Sequence, residues 1–121
     1  MADEVQLTAT RVYQVSDNIP IYISVIIGNA NLGSTVIYYK DEMIGGDTGQ
    51  IDRLPVGNEN EPLKFNLLKC TTKVKDINPL TNKTYVTYLL EGGQKDEQFE
   101  FNIDVKQEGG YAVYSVTFVF V

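Results

Sequence analysis

A chain of 121 residues with 43% hydrophobic and 21% charged residues has the composition of one globular domain and is too short for two ordinary ones. Its 16 acidic and 10 basic residues give a net charge of -6, which disfavours nucleic acid and anionic membranes as partners. Histidine is absent and cysteine occurs once, so the sequence excludes a Ser-His or Cys-His nucleophile pair, an intrachain disulfide and a zinc site built from several Cys or His ligands. We therefore expect no cofactor, no metal and no enzymatic activity.

The first two segments alternate apolar and polar residues with a period of two, which predicts β-strands. In the first segment Arg11 interrupts the apolar face, which predicts a bulge or a position near the edge of a sheet. The apolar faces of the two segments consist of Val5, Leu7, Ala9, Tyr13 and Val15, then Ile19, Ile21, Ile23, Val25 and Ile27. Residues 28–33 predict a turn after them.

A third strand is predicted over residues 34–40, and both of its faces are apolar. Val36 and Tyr38 lie on one face, whereas Ile37 and Tyr39 lie on the other. One long irregular region is predicted next, over residues 41–62, because glycine and proline recur there too often for a regular element. These residues are Gly45, Gly46, Gly49, Pro55, Gly57 and Pro62.

A fourth strand is predicted to carry Leu63, Phe65 and Leu67 inward. Cys70 follows this apolar run, and we expect it to be a half-buried structural thiol, since free cysteine is among the most buried residue types. Residues 77–82 are rich in turn-forming side chains and predict a connection to the next strand.

The end of the chain carries the clearest local pattern. A fifth strand is predicted over residues 84–90, closed by a Gly-Gly pair. Residues 99–106 and 111–121 then alternate apolar and polar side chains around the turn 107–110, which predicts a β-hairpin. The apolar face of its first strand consists of Phe99, Phe101, Ile103 and Val105.

Seven or eight short strands without a helical segment favour an all-β domain. We expect a two-sheet antiparallel β-sandwich of the immunoglobulin-like or jelly-roll-like type, with a closed β-barrel as the alternative. Residues 77–88 resemble the loop-to-strand corner of fibronectin-type and immunoglobulin-like sandwiches, in which a tyrosine hydroxyl bonds to upstream backbone. The resemblance implies a sandwich and carries no activity with it.

The acidic residues of the 41–61 loop form a candidate ligand site. Oxygen-rich loops on sandwiches can bind calcium, and paired carboxylates can serve a glycosidase. The spacing of Asp47 and Asp52 does not match an EF-hand loop, so a solvated acidic loop is the simpler interpretation. The alternative function is a small-molecule, carbohydrate or calcium-binding domain, or a minor enzyme. The residues concerned are Asp41, Glu42, Asp47, Asp52, Glu59 and Glu61.

Several strands carry aromatic or apolar residues on the face opposite their more apolar one, which indicates a partner surface. Tyr22, Tyr39 and Tyr85 lie opposite the better apolar faces of their strands and could form an aromatic platform, although ordinary cross-strand pairing is the simpler interpretation. Residues 111–121 contain no charged side chain. Either the fold or a partner must therefore cover their second face, and an exposed edge strand of this kind would invite pairing. The surface residues are Tyr22, Tyr39, Tyr85, Val113 and Val119.

These observations favour a non-catalytic binding or assembly module that recognises a protein partner or its own copies, with a homodimer as the simplest assembly. We expect neither nucleic-acid binding nor membrane insertion. No secretory signal is visible, which favours a cytoplasmic location; an extracellular location would follow if a signal had been removed.

Overall fold

Strand-favouring Val, Ile, Thr, Tyr and Phe side chains dominate the chain, and the described residues fold accordingly into β-strands. The computed structural model describes residues 4–16, 20–29, 31–57 and 62–121, so Ile19 lies outside the described residues. The strands are β1 (Glu4–Tyr13), β2 (Ile21–Ile27), β3 (Leu32–Tyr39), β4 (Glu42–Thr48), β5 (Ile51–Val56), β6 (Leu67–Lys75), β7 (Lys83–Glu91), β8 (Glu97–Asp104) and β9 (Tyr111–Phe120). Within those four ranges, no helix has the length and apolarity that crossing a membrane requires.

The strands form two sheets. Sheet A has the order β1-β9-β6-β3-β4, and sheet B has the order β5-β2-β7-β8. The sheets are separate and do not close into a barrel, so the two-sheet, all-β prediction is confirmed and the barrel alternative is wrong. The described strands number nine rather than seven or eight. The prediction that the sheets are antiparallel is wrong at one edge: β1 runs parallel to β9, with Glu4 opposite Tyr111, whereas the other strand pairs found in the described ranges are antiparallel.

The core lies between the two sheets and is built from their alternating inward residues. Every second residue of β7 and β9 is buried along the whole strand. At the centre, the ring of Phe118 lies 5.0 Å from that of Phe99 and 5.8 Å from that of Tyr88. Aromatic side chains bury about 150–250 Å² each, so this cluster contributes a large share of the hydrophobic stabilisation. Cys70 is 1% exposed, and is thus more deeply buried than its sequence context predicted.

Arg11 lies at the edge of sheet A, which is one of the two positions predicted for it. β1 is the edge strand and pairs with β9 without a shift of register, so Arg11 does not mark a bulge. Its guanidinium carbon lies 5.1 Å from the centre of the Phe101 ring. A cation over an aromatic face is favourable, which explains how a charged residue is tolerated on the inward side of this strand.

The predicted hairpin at the end of the chain is wrong as a pairing, although both of its strands exist. β8 pairs with β7 in sheet B, whereas β9 lies in sheet A between β1 and β6. The apolar faces of β8 and β9 oppose each other across the core, where Phe99 meets Phe118. β9 is therefore an internal strand, and edge-to-edge pairing through it is excluded.

The region predicted to be irregular, residues 41–62, contains β4 and β5. Lys40 and Asp41 form a two-residue connection between β3 and β4, and both have the positive φ, 54° and 63°, that a tight hairpin turn requires. A Cβ atom at Gly45 would lie 2.6 Å from a methyl carbon of Leu54, so glycine at position 45 allows β4 and β5 to approach each other. Pro55 is tolerated because β5 is an edge strand.

A turn separates Leu63 from β6 and corrects the inward set predicted for the fourth strand. Leu63 is buried, but Phe65 is 81% exposed and Leu67 is 39% exposed. The backbone N–H of Asn66 donates to the carbonyl of Leu63 at 3.2 Å, which closes the turn. β6 begins after it, and its inward residues are Leu68, Cys70, Thr72 and Val74.

Candidate functional site

The five residues of the predicted partner surface do not lie on one face. Tyr22 and Tyr85 lie half-buried on the outer face of sheet B, and Val113 and Val119 lie half-buried on the outer face of sheet A. Tyr39 is 4% exposed and points into the core, so its assignment to an outward surface is wrong. Both faces of its strand are apolar in sequence, and only the packing of the two sheets determines which face turns inward.

Tyr22 and Tyr85 are also too far apart to form one aromatic platform. Tyr22 lies opposite Glu91 on β7, six residues from Tyr85 on the same strand, which is about 20 Å along a strand. The guanidinium of Arg53 lies 4.6 Å from the centre of the Tyr22 ring and donates to Glu91 at 2.7 Å. Tyr22 therefore belongs to a local cation–π and ion-pair cluster, apart from Tyr85.

The resemblance of residues 77–88 to a tyrosine corner does not extend to the hydrogen bond of Tyr88. Its hydroxyl bonds to the hydroxyl of Thr72 at 2.7 Å, and Thr72 bonds to Thr35 at 2.9 Å. Burial raises the pKa of Tyr88, and Thr35 and Thr72 are fully buried as well. This chain of hydroxyls links the two sheets inside the core, out of reach of a substrate.

The predicted acidic site does not assemble among the described residues. Asp41, Glu42, Asp47 and Asp52 are all exposed along β4, β5 and the turn before β4, while Glu59 and Glu61 lie outside the described residues. No group of three or more acidic, cysteine or histidine side chains able to hold a metal occurs in the described part of the chain.

A different surface stands out on the outer face of sheet A. Leu67 is opposite Val119, and Val119 is opposite Val12, so three apolar residues lie side by side across β6, β9 and β1. Phe65 precedes this row and donates its backbone N–H to the carbonyl of Phe120 at 2.6 Å. Val12 is 56% exposed, and Val121 is half-buried beside the row. We call this surface the apolar corner: Val12, Phe65, Leu67, Val119 and Val121.

Phe65 is the most exposed residue of the apolar corner and has an unusual backbone. Its φ is 69°, in the left-handed region that glycine and asparagine adopt most readily. A bulky residue there is strained, by roughly 1–2 kcal/mol. The turn nevertheless holds it, because Asn66 donates from its side chain to the hydroxyl of Tyr39 and to the carbonyl of Pro62, both at 3.1 Å. The fold thus fixes an exposed phenyl ring in a strained turn.

Charge differs between the outer faces of the two sheets. The outward residues of β6 are basic or uncharged: Leu67, Lys69, Thr71, Lys73 and Lys75. The outward residues of β8 are acidic or uncharged: Gln98, Glu100, Asn102 and Asp104. Lys69 lies 3.5 Å from Asp41, and both are half or more exposed, so this pair contributes little stability and leaves the basic strand available to solvent.

The outer face of sheet B adds apolar side chains beside that acidic strand. Ile26 is 43% exposed and lies opposite Thr87, which in turn lies opposite Glu100. Leu89 is half-buried one row away, opposite Gln98. This face therefore combines an apolar centre with an acidic border.

Sequence reasoning identified Val119 and missed Phe65, the dominant residue of the apolar corner. The run Leu63, Phe65, Leu67 has the period of a strand, and the turn inside it contains neither glycine nor proline. Asn66, directly after Phe65, is the one local sign of a turn in the sequence.

Comparison of the chain with protein-family models, with curated protein sequences and with solved structures finds no match.

Proposed function

We propose that this protein is a non-catalytic assembly module that binds further copies of itself, the outer face of sheet A of one copy stacking on the outer face of sheet B of the next. The observation that carries the proposal is the exposure of Phe65. Its ring is 81% exposed, which corresponds to about 150 Å² of apolar surface, and covering that surface is worth about 4 kcal/mol. Phe65 adjoins the other members of the apolar corner, and contiguous exposed apolar patches often mark interaction sites.

Residues beside the apolar corner on the outer face of sheet A could extend the contact to the size of an ordinary interface. A specific interface buries about 800 Å² on each partner, which is more than the apolar corner alone provides. Beside the corner lie small uncharged side chains and one charged one, Lys69, which is opposite Thr117: the uncharged residues are Thr8, Thr10, Thr71, Ser115 and Thr117. Covering the uncharged residues removes no charge from water, whereas covering Lys69 has a desolvation cost that an acidic partner must offset.

Charge favours a head-to-tail arrangement over a symmetric one. Stacking two copies of sheet A against each other would bring the lysines of β6 together, and like charges across an interface are unfavourable. Stacking sheet A on sheet B would instead bring those lysines to the face that carries Glu100 and Asp104 of β8, of which Asp104 already lies 3.9 Å from Lys83. Such an interface joins two different surfaces, so it produces rings or filaments rather than a closed pair.

Sedimentation velocity tests the proposal over a range of protein concentrations. We expect the wild-type protein to associate at tens of micromolar, and more weakly as salt is raised, because exposed charges are screened. Phe65→Asp and Val119→Lys should each abolish association. Leu80→Asp is the matched control, since Leu80 is 91% exposed but lies in the turn after β6, at the opposite end of that strand.

Mixing variants distinguishes the head-to-tail arrangement from a symmetric dimer. Phe65→Asp blocks sheet A, whereas the double variant Glu100→Lys/Asp104→Lys blocks sheet B. Each should be monomeric alone, and a mixture should form a 1:1 dimer that grows no further, because each copy keeps one intact face. A wild-type protein that remains monomeric at 100 micromolar or so would contradict self-assembly itself.

The finer class of the sandwich and the cellular location of the protein are further predictions. We propose the immunoglobulin-like or jelly-roll-like type as the finer class of this two-sheet, all-β architecture. A cytoplasmic location rests on the sequence. Recognition of a different protein would show as association that requires a second chain while Phe65 remains essential.

A further inference from the structure

A groove of about 550 Å³ lies on the outer side of the molecule at the end of sheet A opposite the apolar corner. Its walls come from the start of β3, the end of β6, the start of β9 and the turn between β4 and β5. That turn is fixed because the backbone N–H of Gly49 donates to the carbonyl of Gly33 at 2.7 Å. The volume lies within the range of about 300–1,000 Å³ that small-molecule sites occupy.

The charge of the groove is opposite to that of the whole protein. None of the acidic residues in the described ranges lines the groove, whereas two of the basic residues, Lys73 and Lys75, do. Both ammonium groups approach the same aromatic ring: Nζ of Lys73 lies 4.6 Å and Nζ of Lys75 lies 6.0 Å from the centre of Tyr111. Lys73 also lies 3.5 Å from Glu4, a pair too exposed to neutralise it strongly.

The floor of the groove is apolar and depends on a glycine. A Cβ atom at Gly33 would lie 2.5 Å from Cδ1 of Ile27 and 3.0 Å from the carbonyl oxygen of Lys73, so a larger residue could not keep this shape. Leu32, 61% exposed, stands beside the floor on β3. An apolar floor with a few polar groups at one side is the usual construction of a ligand site.

We infer that this groove binds an amphipathic organic anion, one with a carboxylate, sulfate or phosphate group on an apolar body. The headgroup is held by the ammonium groups of Lys73 and Lys75, where an anion also relieves the repulsion between two like charges around one ring. The apolar body lies against Ile27, Leu32 and the face of Tyr111. A neutral analogue loses the ionic contacts, and a cationic one is repelled. The apolar corner lies at the opposite end of β6 and β9, but the groove shares Lys73 and Lys75 with the stacking surface of the proposed assembly. The titration is therefore repeated on the Phe65→Asp variant, which lacks the apolar corner's anchor and keeps the groove intact.

Nuclear magnetic resonance titration with octanoate, below its micellar concentration, tests the inference on the full chain. We expect amide shifts for Leu32, Lys75, Tyr111 and the β4–β5 turn, with 1-octanol binding at least ten-fold more weakly. Lys73→Gln/Lys75→Gln should weaken octanoate binding at least ten-fold. The matched control is Lys69→Gln, on the same strand and face but beside the apolar corner, and it should bind octanoate as the wild-type protein does.

Three results would each overturn the inference. Octanol could bind as tightly as octanoate, the octanoate shifts could fall on the apolar corner instead, or the double lysine variant could bind like the wild-type protein. Octyl sulfate and octyl phosphate then distinguish the headgroups: a preference among the three ranks the headgroup classes, and equal affinities are expected if charge alone is recognised.

Discussion

Replacing Phe65 by asparagine separates the stability of the monomer from its ability to associate. Phe65 has a φ of 69° and is 81% exposed, so it is strained and poorly packed in the isolated protein. Asparagine is several-fold enriched at positive φ among the non-glycine residues. The substitution should therefore relax the turn while removing the exposed ring.

The expected magnitude follows from two opposing terms. Relief of the left-handed backbone of Phe65 is worth at most roughly 1–2 kcal/mol. The buried fifth of the side chain amounts to about 40 Å², and its loss costs about 1 kcal/mol. The free energy of unfolding of the monomer should therefore change by less than about 1 kcal/mol, or less than about 4 °C in Tm.

Urea unfolding at sub-micromolar protein measures this difference on the monomer, since association would add stability to the wild-type protein alone at higher concentration. Leu63→Asn is the matched control. Leu63 belongs to the same turn but is 6% exposed, so its substitution should cost more than about 3 kcal/mol. A loss above about 2 kcal/mol for Phe65→Asn would show that Phe65 is packed in the monomer and would refute its role as an exposed anchor.

Phe101→Ala should cost about 3–5 kcal/mol in urea unfolding and Glu100→Ala less than about 0.5, because Phe101 lies inward and Glu100 outward; equal costs would contradict that orientation of β8. Thr72→Val should cost about 1–3 kcal/mol, since it leaves the buried hydroxyls of Tyr88 and Thr35 unpaired, and an unchanged midpoint would argue against the hydroxyl chain. Millimolar calcium should leave Tm unchanged, and a rise of several degrees would restore the calcium-binding alternative. Because burial raises the pKa values of Cys70 and Tyr88, the native state keeps protons that the unfolded state loses, so the stabilising contribution of these two groups should be complete below about pH 8.5, decline above it as the unfolded thiol titrates, and decline further above about pH 10 as the unfolded phenol titrates, as urea midpoints across that range would show.

Local alternation predicted the strands well because it depends only on which residues face the core. The predicted strand over residues 84–90 is β7, Lys83–Glu91, and its alternate residues are buried throughout. Pairing is a long-range property, and sequence alone did not give it. The inward residues of β8 and β9 satisfy the same pattern whether the strands pair side by side or pack face to face, and the fold uses the second arrangement.

Turns could not be predicted where residues other than glycine and asparagine adopt positive φ. Asn-Gly or Asp-Gly usually marks a two-residue hairpin, but here Lys40 and Asp41 occupy both positions, so β3 and β4 were not recognised as neighbours. The glycines of β4 were interpreted as breakers, whereas Gly45 makes room for Leu54. In each case the deciding contact comes from a residue distant in sequence or from the other sheet.

The candidate surface was predictable only in its regular part. The outward direction of Val113 and Val119 follows from alternation along β9, and their half-buried state agrees with it. Tyr39 could not be placed, since both faces of β3 are apolar and the choice between them depends on the opposing sheet. Phe65 could not be found at all, because the turn that turns its ring outward interrupts a run with the period of a strand.

Phe65 is unusual in its positive φ and in its exposure, and a single substitution could remove both features. An asparagine or glycine would relax its backbone, and a polar side chain would suit its exposure. Natural sequences keep local features consistent with the fold except where function requires otherwise. Within the described residues nothing covers the ring, and the proposed assembly would supply the contact that justifies a phenylalanine here. The same reasoning does not apply to Leu80, which is more exposed than Phe65, at 91% against 81%, but lies in a turn without a positive φ, and this contrast is what makes it the proper control.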